Sequence, residues 1–478
     1  MPFNSFAVPR LVLAAVALAS LAACANFSGI TPQAQMQAAN VAGASDVAAV
    51  DAEWWHSFAD PQLDRLVTQA LDGSPSLKLA QARLRRAQAA TDGARATTLP
   101  QVGADAQAMR QLYTAKGQYP APLAGEIYNS GTLQLSASWE LDFFGKNRAA
   151  LDAALGQTQA AQADAQAARV LLVSQVARSY FQLLRLNGQL ELANRTLAQR
   201  NELLALVRDR VNAGLDTRLE LNQSQGSLPE ARQQIEALNE QIALARNGLS
   251  ALVGQSNAAD TLVLPALAAI KTAANAQAIP ADLLGRRADI AAARWRVEAA
   301  SADARSAKAQ FYPNVSLNGF AGFSSIGLGN LLHAGSEQWG IGPAIHLPIF
   351  DAGRLRASLA AKTADLDAAV ESYNAALVDA VRDVADQLAS QQSIARQQTE
   401  QRAAQQAAEA AYEIAVQRYS AGLGNYLNVL SSETAVLAQR RLQVDLAARA
   451  LDTQVALVRA LGGGYAPIAT ETIASTAH

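Results

Sequence analysis

Between residues 132 and 141 the chain alternates strictly. Leu133, Leu135, Ala137, Trp139 and Leu141 are apolar, while Thr132, Gln134, Ser136, Ser138 and Glu140 between them are polar. A period of two puts these sets on opposite faces of a half-buried strand. An earlier stretch alternates more weakly, with Val102, Ala104, Ala106 and Ala108 on one side, and the Gly- and Pro-rich "TAKGQYPAPLAGEIYNSG" separates the two. Strands are therefore expected over about 101–113 and 131–142.

Elsewhere the period is helical. Pro61 followed by Leu63, Leu66, Val67 and Ala70 predicts a short helix, and "SLKLAQARLRRAQAATDGARATTLP" predicts a second that stops at Pro100. From Lys146 to Ala213 there is no proline, and Gly156 and Gly188 are the only interior glycines. Such a run, if continuous, makes a helix on the order of 100 Å long at ~1.5 Å per residue. Apolar residues recur at sevens, at Val176, Leu183, Leu190, Leu197, Leu204 and Val211, and after Gly214 at Leu221, Leu228, Ile235, Ile242 and Leu249. Two heptad segments joined by a glycine describe an antiparallel helical hairpin. Gly214 is expected in the left-handed conformation that ends the first helix, Asp216 or Thr217 caps the second, and Pro229 kinks it.

The same order then returns. A segment without clear period (255–285) leads to a helix, "RRADIAAARWRVEAASADARSAKAQFYP", and to strands expected over about 313–323 and 337–349. A second long run, Arg354 to Ala421, ends at Gly422, after which Leu430, Leu437, Val444, Leu451 and Val458 recur at sevens. An offset of 208 residues pairs Gly145 with Gly353, Gly214 with Gly422 and Gly254 with Gly462 without a gap. The chain reads as a duplication, with repeats at 61–254 and 286–464 and a tail at 465–478.

Composition sharpens this. Half the residues are hydrophobic but only 5% are aromatic, which suits long helices packed through small side chains. A net charge of −2 makes no electrostatic case for nucleic acid. Four histidines and one cysteine leave little material for a metal site, and no intrachain disulfide can form. No cofactor is expected. The Gly-rich "GFAGFSSIGLGNLLHAG" lacks phosphate-loop spacing and sits inside an expected hairpin, so nothing points to an enzyme. At the N-terminus, Arg10 precedes an apolar run from Leu11 to Ala23, too short to span a bilayer. It fits a signal peptide over 1–23, ending in Leu21-Ala22-Ala23-Cys24.

Four strands cannot close a barrel, and open edges in lipid leave backbone groups unpaired. Two, three or four copies would give eight, twelve or sixteen strands; a small soluble sheet capping a helical bundle fits the alternation as well. Trp139 and Trp339 are candidate interface anchors of membrane strands.

A resemblance narrows the choice. The sequence around Cys24 resembles the lipobox of bacterial lipoproteins, and "WWHSFADPQLDRLV", "RRADIAAARWRVEAA", "FYPNVSLNGFAGF", "LPIFDAGRLRA" and the doubled "AGL" turns together resemble TolC-like outer-membrane efflux channels. The similarity is to the NodT-like lipoprotein branch serving resistance-nodulation-division systems, and it covers nearly all of the chain after Cys24. It implies a mainly α homotrimer with a 12-stranded transmembrane β-barrel continued by a periplasmic α-helical barrel. It also implies a lipidated extension over 24–60, held in the outer membrane through acylated Cys24. Expected partners are a periplasmic adaptor and an inner-membrane pump of resistance-nodulation-division type, and the expected cargo is drugs or other small toxic compounds.

The resemblance further implies site residues. Ala213, Gly214, Leu215, Thr217, Ala421, Gly422 and Leu423 would form the periplasmic tip where the adaptor docks. Glu220 stands where the family has a gating aspartate, and Tyr419 matches a family gate tyrosine. Asn428 and Ser431 replace two further family aspartates, which weakens the case for a cation-binding constriction, and Ala288 replaces a customary proline. Type I secretion and metal or oligosaccharide export fit the same channel, and a non-conducting coiled-coil lipoprotein fits the helices alone.

Overall fold

The structure is a computed structural model that describes residues 27–37, 50–271 and 287–465. Cys24, the expected signal peptide and most of the tail lie outside the described residues, as does the greater part of the segment between the repeats. The chain divides into two compact units. One comprises residues 1–37, 83–161 and 292–374, and the other comprises 38–82, 162–291 and 375–478, so each draws on both repeats.

In chain order the elements are α1 (Pro61–Gly73), α2 (Pro75–Ala96), β1 (Gln101–Leu112), β2 (Ile127–Leu141), α3 (Lys146–Asn212) and α4 (Arg218–Val253). They continue with α5 (Ala288–Ala309), β3 (Asn314–Ile326), β4 (Glu337–His346), α6 (Arg354–Ser420) and α7 (Tyr426–Ala460). Helices α3 and α6 each run for 67 residues. No helix among the described residues is long and apolar enough to cross a membrane.

The first unit is built on a four-stranded antiparallel sheet in the order β1-β2-β3-β4. The two repeats join in its middle, where β2 pairs with β3 from Ser130↔Ile326 to Leu141↔Val315. β2 starts at Ile127, four residues earlier than its alternation indicates, because Ile127 pairs with Leu112 and the loop closes beyond them through Tyr113 N–H to Glu126 O (3.0 Å). β4 stops at His346 rather than 349, just before Leu347 and Pro348, and proline has no N–H for a ladder. Residues 27–37 lie beside α6, beginning with a turn closed by Ile30 N–H to Phe27 O (3.3 Å). The Gln33 and Ala34 N–H groups donate to Asp367 Oδ1 (2.9 Å each), and Phe27 and Ile30 pack on Ala307, Phe311, Leu355 and Leu359. At Gly156 of α3 a Cβ would lie 2.9 Å from that of Ala299, so only glycine lets α3 and α5 approach this closely.

The second unit has its core around the "WWHSF" turn. Trp54, Trp55 and Phe58 bury with Leu63, Leu66 and Val67 of α1 against Val176, Tyr180, Phe181 and Leu183 of α3, Leu249 and Val253 of α4, and Leu451 and Val455 of α7. Buried Asp60 caps α1 by accepting from Gln62 N–H (2.9 Å), and it also accepts from the Tyr180 hydroxyl (2.6 Å). The heptad residues Val176, Leu183, Leu204, Leu228 and Leu249 are all buried. Along the α3–α7 seam Arg178 pairs with Asp452, Arg185 with Asp445, and Arg200 with Glu433 through two bonds of 2.9 and 3.0 Å.

Candidate functional site

Two features invite a functional reading, the faces of the sheet in one unit and the glycine turns in the other. The sheet register has no bulge, so alternation carries across all four strands. Leu133, Leu135 and Trp139 of β2 therefore share a face with Val102 of β1, Leu317 of β3, and Trp339, Ile341 and Ile345 of β4. Across these residues the face is apolar and exposed, Val102 by 71%, Ile341 by 70% and Trp339 by 78%; toward the loops it also carries Arg110, Asn129 and Glu337. The reverse face carries Gln101, Asp105, Gln134, Ser136, Asn318 and Gln338, cross-linked by Ser136 Oγ donating to Asp105 (3.1 Å) and Gln338 Nε2 donating to Gln134 (3.1 Å). Its apolar members are Phe320, whose ring lies over Gly340, and, toward the loops, Met109 and Ile326. Among the described residues, strands β1 and β4 each keep one edge unpaired. An exposed apolar face of this extent marks contact with another protein or with lipid.

The turns at Gly214 and Gly422 share one backbone. Gly214 (φ +72°) donates to Val211 O (3.0 Å) and Leu215 N–H to Arg210 O (2.9 Å); Gly422 (φ +76°) donates to Tyr419 O (3.0 Å) and Leu423 N–H to Arg418 O (2.8 Å). Each is a Schellman ending, where a left-handed residue lets two backbone donors reach back to orphan carbonyls. Leu215 and Leu423 project into solvent, with Leu219 and Leu427 one helical turn further on, all more than 60% exposed. Leu219 and Leu427 are themselves 208 residues apart, a repetition that the heptad reading passed over because neither is a core position.

The side chains beneath the turns are not repeated. Arg210 closes on Asp216 through Nε–Oδ2 (2.8 Å) and Nη2–Oδ1 (3.3 Å), donates Nη1 to the Tyr419 carbonyl (2.9 Å), and sits 4.5 Å from the Tyr419 ring centre. The Tyr419 hydroxyl donates to Asp216 Oδ2. Both members of the ion pair are about nine-tenths buried, and Tyr419 is wholly buried. The hydrogen bond from Arg210 holds the Asp216 carboxyl below the usual carboxylate range, against the opposing pull of burial. Burial first, and then the Asp216 contact, push the Tyr419 phenol up.

Of the expected gate residues, Tyr419 lies in this network and the others do not. Thr217, rather than Asp216, caps α4, and Glu220 completes a capping box by accepting from Thr217 N–H (2.8 Å) and Thr217 Oγ1 (2.5 Å). These bonds lower the Glu220 carboxyl, the Thr217 side chain first. Asn428 and Ser431 are exposed on α7, where the Asn428 N–H donates to the cap residue Asn425 (3.0 Å). Sequence reading missed Arg210 and saw Asp216 only as a cap. The available signal was a pair of opposite charges flanking the glycine in "RVNAGLD". The tip residues Ala213, Gly214, Leu215, Thr217, Ala421, Gly422 and Leu423 are all exposed.

A family model described as outer membrane efflux protein matches residues 66–255 and 279–463. The chain is 38% identical over 368 residues to the fusaric acid resistance protein FusA of Burkholderia cepacia, covering 74% of this chain and 69% of FusA. It is 34% identical over 421 residues to the outer membrane protein OprJ of Pseudomonas aeruginosa, covering 87% of this chain and 88% of OprJ. Among solved structures it is similar to the outer membrane protein VceC of Vibrio cholerae, with a TM-score of 0.82 and 38% identity over 87% of this chain and 99% of that one. The mostly helical chain with one small sheet shares its fold with VceC.

Proposed function

The chain belongs to the outer membrane efflux protein family, and from that premise we propose that three copies form a channel carrying small toxic molecules out of the cell. The observation that carries this reading is the two-faced sheet with two free edges. Lipid tolerates no unpaired backbone, so β1 of one copy would pair with β4 of the next. Three copies of four strands give twelve, with apolar faces toward lipid, the polar faces around water, and Trp139 and Trp339 as interface anchors. Helices α3 and α6 with their partners would continue this barrel as a periplasmic tunnel.

The tip would receive the periplasmic adaptor. Ala213, Gly214, Thr217, Ala421 and Gly422 keep the surface low, and Leu215, Leu219, Leu423 and Leu427 supply apolar area. The gate would be held by Tyr419 with Arg210 and Asp216, while Glu220, Asn428 and Ser431 lie just beyond it. An inner-membrane pump of resistance-nodulation-division type would load the channel, and acylation of Cys24 would fasten each copy to the membrane. The name of FusA, a fusaric acid resistance protein, favours small organic compounds as cargo. The test is the mass of the full-length protein in detergent together with conductance in planar bilayers. Three copies that conduct support the proposal; a monomer, or a trimer that never conducts even when Asp216→Ala loosens its tip, defeats it.

A further inference from the structure

The loop between β3 and β4, residues 327–336, reads "GLGNLLHAGS" and holds no Asp, Glu, Lys or Arg, whereas the loop between β1 and β2 carries Lys116 and Glu126. Its position is fixed by Gly131. A Cβ at Gly131 would meet the Leu328 side chain at 2.9 Å and that of Leu331 at 3.1 Å. Position 131 lies on the same face of β2 as Leu133 and Leu135, because β2 keeps an unbroken register with both neighbours. The loop thus folds back over the apolar face of the sheet rather than over the polar one. Leu332 beside it is 70% exposed, and Trp339 and Ile341, on the same face as Gly131 past Glu337, are 78% and 70% exposed.

Part of the loop's backbone demand is met locally, and the Gly335 N–H donates to Glu337 Oε2 (2.7 Å) just beyond it. Asn330 N–H donates to Gly327 O (3.1 Å), Leu331 to Leu328 O (3.3 Å), His333 to Asn330 O (3.1 Å) and Ser336 to His333 O (3.2 Å). Gly327 N–H reaches Asn129 O on β2 (2.6 Å), and the Ser336 hydroxyl donates to Asn330 O (2.8 Å). A loop in water needs no such closure, since water serves its donors. For a segment that touches hydrocarbon such closure lowers the cost, because each unmet group there costs several kcal/mol.

We propose that the β3–β4 loop is a lipid-binding element that dips its leucines into the outer face of the membrane, extending the lipid-facing surface beyond the strands. The inference rests on the reading of the strands as membrane strands. It predicts that a polarity-sensitive NBD fluorophore on Leu332→Cys or Gly329→Cys senses lipid. The full-length protein is reconstituted in phosphatidylcholine vesicles, with the wild type labelled in parallel as background for Cys24. Quenching is compared between spin-labelled lipid and aqueous iodide. Ile341→Cys marks the strand face, and Tyr119→Cys marks the β1–β2 loop.

Lipid quenching at 332 and 329 that matches 341, with iodide quenching several-fold weaker than at 119, supports the proposal. Iodide quenching at 332 and 329 equal to that at 119, with 341 still quenched from lipid, overturns it and leaves the strand reading standing. Protection of 332 and 329 from both quenchers overturns it in favour of burial against a neighbouring copy. Quenching of 341 by iodide alone overturns the strand reading itself.

Discussion

The turns at Gly214 and Gly422 have one backbone and two chemistries. Their φ values, Schellman bonds and outward leucines repeat at an offset of 208 residues. Their polar groups do not. At the position equivalent to Asp216 the second repeat has Gly424, and Arg418, equivalent to Arg210, makes only a 3.4 Å contact with the Leu423 carbonyl. Duplication kept the shape that presents apolar tips and placed a buried ion pair under one of them. That pair is not private to its own turn, because it reaches across to Tyr419 and so couples the two hairpins of one copy. The same asymmetry runs along α3, whose Arg178, Arg185 and Arg200 meet acids on α7. At an offset of 208 from these arginines stand Asp386, Ser393 and Ala408, which make no such ladder.

The comparison breaks most sharply at the ion pair. Asp216→Ala strands the Arg210 charge in a buried site, a loss on the order of 3–5 kcal/mol for the pair. Resting conductance in planar bilayers should rise several-fold, whereas Arg418→Ala should leave it unchanged. Equal effects of the two variants would remove the asymmetry. Tyr419→Phe deletes one hydrogen bond to a charged acceptor, about 1.5–3 kcal/mol, and should give a smaller rise in the same measurement.

The two turns should behave alike where their backbones act. Leu215→Ser and Leu423→Ser should each weaken capture of a cognate adaptor, by about 1–2 kcal/mol per buried side chain, as read by surface-immobilised binding. Smaller still is the loss of a cap. Thr217→Ala and Asn425→Ala should each cost about 1 kcal/mol, seen as faster amide exchange in the first turns of α4 and α7.

Acid sharpens the contrast differently. Because Arg210 depresses the Asp216 pKa, the stabilisation from that carboxylate is fully present above its ordinary value near ~3.9, and it is lost only as pH falls through the lower folded value. Conductance should therefore stay flat between about pH 5 and 8 and rise only in stronger acid. A rise within the neutral range would show that another group holds the tip closed.

Much of this architecture was legible in the residues. Period-two alternation gave β2 its two faces, and the heptads with the offset of 208 gave two hairpins whose glycines do end the helices in left-handed conformation. Strand ends were less legible. Ile127 joins β2 through cross-strand pairing with Leu112, which no local pattern encodes, and His346 ends β4 three residues short of the apolar run. The tip network was hidden for a related reason. Tyr419 and Asp216 are 203 residues apart, and only the fold brings the hydroxyl to the carboxylate. Glu220 was visible as an acid near the turn, but the partner it finds in its own copy is the Thr217 cap.

The claim on which the rest depends is that one side of this sheet faces water inside a ring and the other faces lipid. Single cysteines at Leu133, Gln134, Leu135 and Ser136, probed in intact outer membranes with a small membrane-impermeant maleimide, test it most directly. The account predicts labelling at 134 and 136 and protection at 133 and 135. Uniform labelling of all four would contradict it.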